Sequence, residues 1–197
     1  MTSSASTPKG ERRRSALVEA AAALLTEGGF EAVRHRAVAE RAGLPLASTT
    51  YYFDSLDDLV AAAVQHQSRT EQERGRRCLE ELVTRERDVD AVVELMLELL
   101  LGPQRADHEA DAEAVLLRYE RLVATGRRGY LRPLMRTLSA ELKALLGEIL
   151  ARSGRPVDDT EVIRLIALTD GAVVNALVAV DPEPRAAAAR MLRDALR

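Results

Sequence analysis

Residues 29 to 59, GFEAVRHRAVAERAGLPLASTTYYFDSLDDL, constrain this chain more than any other stretch. They hold two short helical segments with a reversal between them. The first carries Val38 and Ala39, and the second ends in Thr50-Tyr51-Tyr52-Phe53. Two helices that cross steeply need a small residue where they touch, and Ala39 supplies it. Gly43 can take the positive φ that the reversal needs. Pro45 has no amide hydrogen and suits the first turn of the second helix. Four of the six aromatic residues fall here: Phe30, Tyr51, Tyr52 and Phe53. The pattern predicts a helix-turn-helix, a small head of the kind that lays one helix in a DNA groove.

The remainder reads as helix throughout. At 197 residues the chain can bury a real core. Only seven prolines occur, and no alternating β-branched run exists, so the expected class is all-α with about nine helices. Residues 1 to 10 are expected to form a disordered tail, 11 to 54 the head, and 55 to 197 the body. Breakers at Gly28-Gly29, Gly102-Pro103, Gly126, Gly154 and Asp181-Pro182 divide the helices. The expected spans are Glu11 to Glu27, Arg34 to Ala42, Pro45 to Phe53, and from Ser55 to about Arg77. In the body they are Asp90 to Leu101, Asp107 to Ala124, Tyr130 to Arg152, Asp158 to Val180, and Pro184 to Leu196.

Several function classes are excluded. The longest apolar runs are far too short to cross a bilayer, and the N-terminus has no apolar core, so neither a membrane span nor a secretion signal is expected. One cysteine, Cys78, rules out an intramolecular disulfide and fits a cytoplasmic location. A redox-sensing role for it has no assignable basic partner. His35, His66 and His108 have no companions at ligand spacing, so no metal or cofactor is expected, and His35 reads as an inward structural residue. No nucleophile elbow, phosphate loop or dinucleotide fingerprint occurs, and the chain does not read as an enzyme.

The overall charge of −3 does not advertise a nucleic-acid partner, but its distribution is uneven. Residues 1 to 53 hold seven Lys or Arg against five Asp or Glu, a net +2, which leaves −5 for the rest. Ser48, Thr49, Thr50, Tyr51 and Tyr52 are candidate DNA contacts, because hydroxyls bond phosphates and base edges. Successive residues cannot all face a groove, and Phe53 is expected inward with Thr49 partly buried. Arg34 and Arg36 open the preceding helix, where they can meet a phosphate or simply be solvated. Arg12, Arg13 and Arg14 are either a flexible arm over DNA or a solvated face.

The segment from Asp158 is apolar on two faces. One carries Val162, Ile166, Thr169, Val173 and Leu177, the other Ile163, Ala167, Val174 and Val178. A helix of this kind must be covered on both. Burial within one chain would do so. A homodimer is the preferred reading, its interface built from Ile163, Ala167, Gly171, Val174 and Val178 with Ala188, Met191 and Leu192 of the last helix.

Gly29-Phe30, Val38-Ala39, Ala42-Gly43, Tyr52-Phe53 and Leu59 together resemble the head motif of the tetracycline-repressor (TetR) family of bacterial transcription regulators. The resemblance covers roughly residues 12 to 60. The chain departs from the family pattern at Leu56-Asp57-Asp58, where many members carry a phosphate-gripping lysine, at Arg34, where many have Thr, and at Thr50, where many have Tyr. The resemblance implies a dimeric repressor that reads a palindromic double-stranded operator and is released by a small, hydrophobic effector bound inside the body. Leu95, Met96, Leu99, Leu116, Tyr119, Leu134, Met135, Leu138, Ile166, Val173 and Asp170 are the candidate pocket residues, and the apolar ones fit an ordinary core equally well. The alternative is a helical protein of the same fold that acts through protein partners.

Overall fold

A computed structural model of the chain describes residues 7–81 and 88–197. Residues 1–6 of the expected tail, and the side chain of Cys78, lie outside what is described. Among the described residues there are nine α-helices and no strand. None of these helices is long and apolar enough to cross a membrane.

Helix α1 spans Pro8–Ala32. It starts three residues before the expected Glu11, because Thr7-Pro8 is itself a start signal. Thr7 Oγ1 accepts the Gly10 amide at 3.2 Å, and Pro8 occupies a position whose amide needs no partner. Arg12 to Arg14 therefore ride on a helix and do not form an arm. The Arg14 guanidinium stands 5.0 Å over the Phe53 ring. At the far end, Gly28 and Gly29 leave helical geometry, with φ of 65° at Gly29, so the expected break is there.

Helices α2 (His35–Arg41) and α3 (Ala47–Tyr52) follow. Gly43 between them has φ of 64°, and the Leu44 amide bonds the Ala39 carbonyl at 3.0 Å. Pro45 lies in this turn, two residues ahead of α3. Ser55 caps α4 (Leu56–Glu81) by accepting the Asp58 amide at 3.1 Å and donating its hydroxyl to Asp58 Oδ2 at 2.8 Å. Leu17, Ala21, Leu25, Val33, Val38, Phe53, Leu59 and Ala63 form one core. Full burial of each Leu or Val contributes about 1.5–3 kcal/mol, which is what holds two such short helices in place. On the outside, Arg41 grips Glu27 with two hydrogen bonds of 2.6 Å.

The second core is built by α5 (Val89–Leu101), α6 (His108–Thr125), α7 (Arg132–Arg152), α8 (Asp159–Val178) and α9 (Pro184–Leu196), with the second half of α4. The first turn of the segment expected from Tyr130 is a 3-10 turn, Gly129–Leu131. The Asp158 side chain caps α8 by accepting the Glu161 amide at 2.8 Å. Arg185 of α9 is buried and meets buried Asp111 of α6 through Nε at 2.8 Å and Nη2 at 3.2 Å. Its guanidinium also donates to the carbonyl of Gly102 at 3.1 Å.

The chain divides into two compact units, Met1–Ser68 with Val123–Leu134, and Arg69–Leu122 with Met135–Arg197. The sequence expectation placed the boundary after residue 54. The first half of α4 joins the head because Leu59, Val60 and Ala63 belong to the head core. The segment between α6 and α7 joins it too, a membership that no local pattern announces.

Candidate nucleic-acid interface and effector recess

Helix α3 has only six residues, so few side chains can leave its surface. Tyr51 is 76% exposed and Thr50 is exposed, while Ser48 and Tyr52 are half-buried. The Tyr51 and Tyr52 rings meet edge to face at 4.8 Å, which limits the directions Tyr51 can point. Thr49 is fully buried, and its hydroxyl donates to the Leu46 carbonyl at 2.8 Å. Thr49 therefore does not belong with the exposed candidates. It faces the core because residue 49 lies one turn before Phe53, which is also inward. Thr50 is exposed and donates its hydroxyl to the Ala47 carbonyl at 3.2 Å.

Arg34 and Arg36 are both exposed at the start of α2. Arg34 is oriented by donating Nε to the Glu31 carbonyl at 3.1 Å, whereas Arg36 carries its charge into solvent. His35 is half-buried as expected, but it is not satisfied, since its buried Nδ1 has no hydrogen-bond partner. The two helices thus expose two cations at the start of α2 and an aromatic hydroxyl and a threonine at the end of α3.

In the second unit, the α8 stripe Ile163, Ala167, Gly171, Val174 and Val178 is exposed along its whole length. Ile163 is 50% exposed and Val178 79%. Met191 of α9 is exposed as well. Ala188 and Leu192 are not available to a partner: both are fully buried in the chain's own core. In α9 they lie one turn apart on the face turned to α8 and α5, while Met191 is rotated off that face towards solvent.

The candidate pocket residues scatter. Met96, Leu99 and Tyr119 are buried in the core, and Ile166 packs against it. Leu138 is buried and Met135 half-buried. Leu116 sits on the exposed face of α6 and cannot line an interior site. Tyr119 donates its hydroxyl to Asp170 Oδ1 at 2.8 Å, so each occupies the other. Burial foremost, then Asp170, pushes the Tyr119 phenol up, and it stays protonated at every physiological pH.

A recess does exist, lined by Glu71, Arg74 and Gly75 of α4, Leu95, Glu98 and Leu99 of α5, Gly102, Pro103, and Ile149 of α7. Its empty volume is about 350 Å³, counting space open to solvent. Of the candidates, Leu95 and Leu99 belong to it. The sequence expectation names none of its charged lining residues, Glu71, Arg74 and Glu98, and the one sequence signal at this place is Gly75. A glycine in mid-helix costs about 1 kcal/mol against alanine and calls for a packing reason. Here a Cβ would overlap the side chains of Leu99 and Leu145. Behind the recess, Arg118 of α6 holds Glu71 with two bonds, 2.9 and 3.1 Å, while its buried Nε has no partner. Among the described residues no cluster of His, Cys, Asp or Glu is placed to hold a metal ion.

Two family models match this chain. One, for bacterial regulatory proteins of the tetR family, matches residues 17–63, and another, for the tetracyclin repressor-like C-terminal domain, matches residues 87–197. No curated protein matches. Among solved structures, the chain is similar to the multidrug binding protein EbrR in complex with imidazole. Identity is 30%, coverage 94% of this chain and 95% of that one, and the TM-score 0.65. EbrR in complex with ethidium is 27% identical, with 94% and 99% covered and a TM-score of 0.66. A member of the TetR family from Streptomyces coelicolor A3 is 31% identical, with 94% and 98% covered and a TM-score of 0.63.

Proposed function

This chain belongs to the tetR family of bacterial regulatory proteins, DNA-binding transcription regulators with a ligand-binding domain, and we propose that it is a cytoplasmic homodimeric repressor. It reads a palindromic operator through Thr50, Tyr51, Ser48 and Tyr52 of α3, with Arg34 and Arg36 on the flanking phosphates. The observation that carries this reading is the exposed end of α3. A six-residue helix held by a buried core presents Tyr51 and Thr50 outward, the geometry of a groove-reading helix.

Dimerisation is supported by the exposed apolar stripe of α8, since an uncovered row of five small and branched residues calls for a partner. The effector is a small aromatic molecule. EbrR, the similar protein, was solved with ethidium, proflavin and malachite green. In this chain Leu95, Leu99, Pro103 and Ile149 supply an apolar wall, and Glu98 lines the same recess while exposed. Release requires that the effector bind the DNA-free state more tightly than the DNA-bound one.

The test is a titration of duplex from the DNA flanking the coding region, with and without ethidium or proflavin. Saturable, symmetric footprints that the dye weakens are expected. A wild-type protein with no sequence preference would overturn the reading of the head, and dye binding that leaves DNA affinity unchanged would overturn that of the effector.

A further inference from the structure

The segment between α6 and α7 packs within the head unit although it lies about a hundred residues from α2 and α3 in sequence. Its central contact is Arg128. The guanidinium stands 3.7 Å above the Phe30 ring, and its Nη2 is 3.5 Å from Glu31 Oε1. Nη1 donates to the Ala124 carbonyl at 2.9 Å, so the end of α6 fixes the guanidinium from behind. Phe30 and Glu31 are the turn that leads from the Gly28-Gly29 kink into α2, and the Val33 amide closes that turn on the Phe30 carbonyl at 3.2 Å. The Glu31 carbonyl in turn receives Arg34 Nε. A continuous path of contacts therefore runs from Ala124 through Arg128 and the Phe30–Glu31 turn to Arg34.

The parts of this clasp differ in strength. Glu31 is 88% exposed, so its ion pair with Arg128 is screened and contributes little. Arg128 is only 24% exposed, and a partly desolvated guanidinium on an aromatic face is the stronger contact. It depends on a flat cation, which lysine does not provide. The same segment also meets the start of α4: burial, then the charge of Asp57, raises the Tyr130 phenol.

We propose that Arg128 is a positioning residue for DNA binding, setting the turn into α2 and with it the direction of Arg34. The Arg128 guanidinium is already held between the Phe30 ring and the Ala124 carbonyl, so it acts on the head from within the chain. Its effect passes through the turn. This rests on the reading of the chain as a DNA-binding regulator.

The experiment compares full-length wild type with Arg128→Lys, Phe30→Leu and the double variant. The first substitution keeps the charge and the second keeps apolar bulk, so neither empties the core. Amide hydrogen exchange without DNA, and affinity for the flanking duplex across a salt series, are measured together with thermal unfolding. In Arg128→Lys, exchange at Val33 to Arg36 should quicken and duplex affinity fall about threefold to tenfold, the scale of one such contact. The salt slope should lose roughly 0.9 for each phosphate that Arg34 releases, which general loosening of the fold does not produce. The double variant should be no worse than the worse single one. Unchanged exchange at Val33 to Arg36, or effects of the two substitutions that add, overturns the proposal. If wild type binds no duplex at all, the DNA-binding reading fails, while the exchange measurement still decides whether Arg128 sets the turn.

Discussion

Arg185→Met probes the most deeply buried ion pair among the described residues of the second unit. Arg185 is 8% and Asp111 7% exposed, and they share two hydrogen bonds. Arg185 also supplies the Gly102 carbonyl with a donor at 3.1 Å and approaches the Leu97 carbonyl at 3.5 Å. Methionine fills similar volume without a donor, and it leaves Asp111 as a buried carboxylate with only the Arg105 amide, 2.9 Å away, to compensate it. Breaking one side of a buried pair costs about 3–5 kcal/mol. For a chain of this size each kcal/mol lowers Tm by roughly 2–4 °C, so a loss on the order of 6–20 °C is expected in a thermal melt followed by circular dichroism. Replacing both partners with apolar residues, Arg185→Met with Asp111→Leu, should recover most of the loss, because no charge is then stranded. Gly102 also lines the recess, so the single variant should bind ethidium more weakly at temperatures where it remains folded. If Arg185→Met melts within about 2 °C of wild type, where a cost of 1 kcal/mol or less would put it, the pair does not hold α9 to α6 and the reasoning fails.

Val174→Glu places a charge in the exposed α8 stripe without entering the core, so sedimentation should show a folded monomer; a dimer of wild-type mass would place the interface elsewhere. Tyr51→Ala, at a 76% exposed position, should leave helix content unchanged and weaken specific duplex binding by about 1–3 kcal/mol, and equal affinity at fixed salt would remove Tyr51 from the contact set. The pH dependence follows from Asp111, where burial opposes ionisation but hydrogen bonds from Arg185 and the Arg105 amide outweigh it, and the pKa falls below its usual value. A depressed carboxylate stabilises the fold fully above its unfolded value, about 3.9, and loses that contribution as pH falls through the folded value. Wild type should therefore lose stability more steeply below pH ~4 than Asp111→Asn, and parallel acid titrations of the two would refute it.

What the sequence determined by itself is local. The breaks at Gly28-Gly29 and Gly43, the Ser55 cap and the helical periods depend on residues a few positions apart, and all are where the sequence implies. The family motif is legible for the same reason, being confined to one short stretch around α2 and α3. Thr7-Pro8 is an equally local start signal, set in a Ser- and Thr-rich stretch whose composition favours a tail. Tertiary structure alone decided which side of each amphipathic helix is inside. Ala188 and Leu192 read as apolar as Met191 does, yet α9 buries the first two against α8 and α5 and leaves the third outside. The recess is formed by residues from α4, α5 and α7, and Gly75 leaves room there for the side chains of Leu99 and Leu145. Arg128 stacks on Phe30 across about a hundred residues of chain, and Arg185 meets Asp111 across 74. Periodicity records which faces of a helix are apolar. Which neighbour covers each face is settled by packing among distant segments, and that information is not present in any one of them.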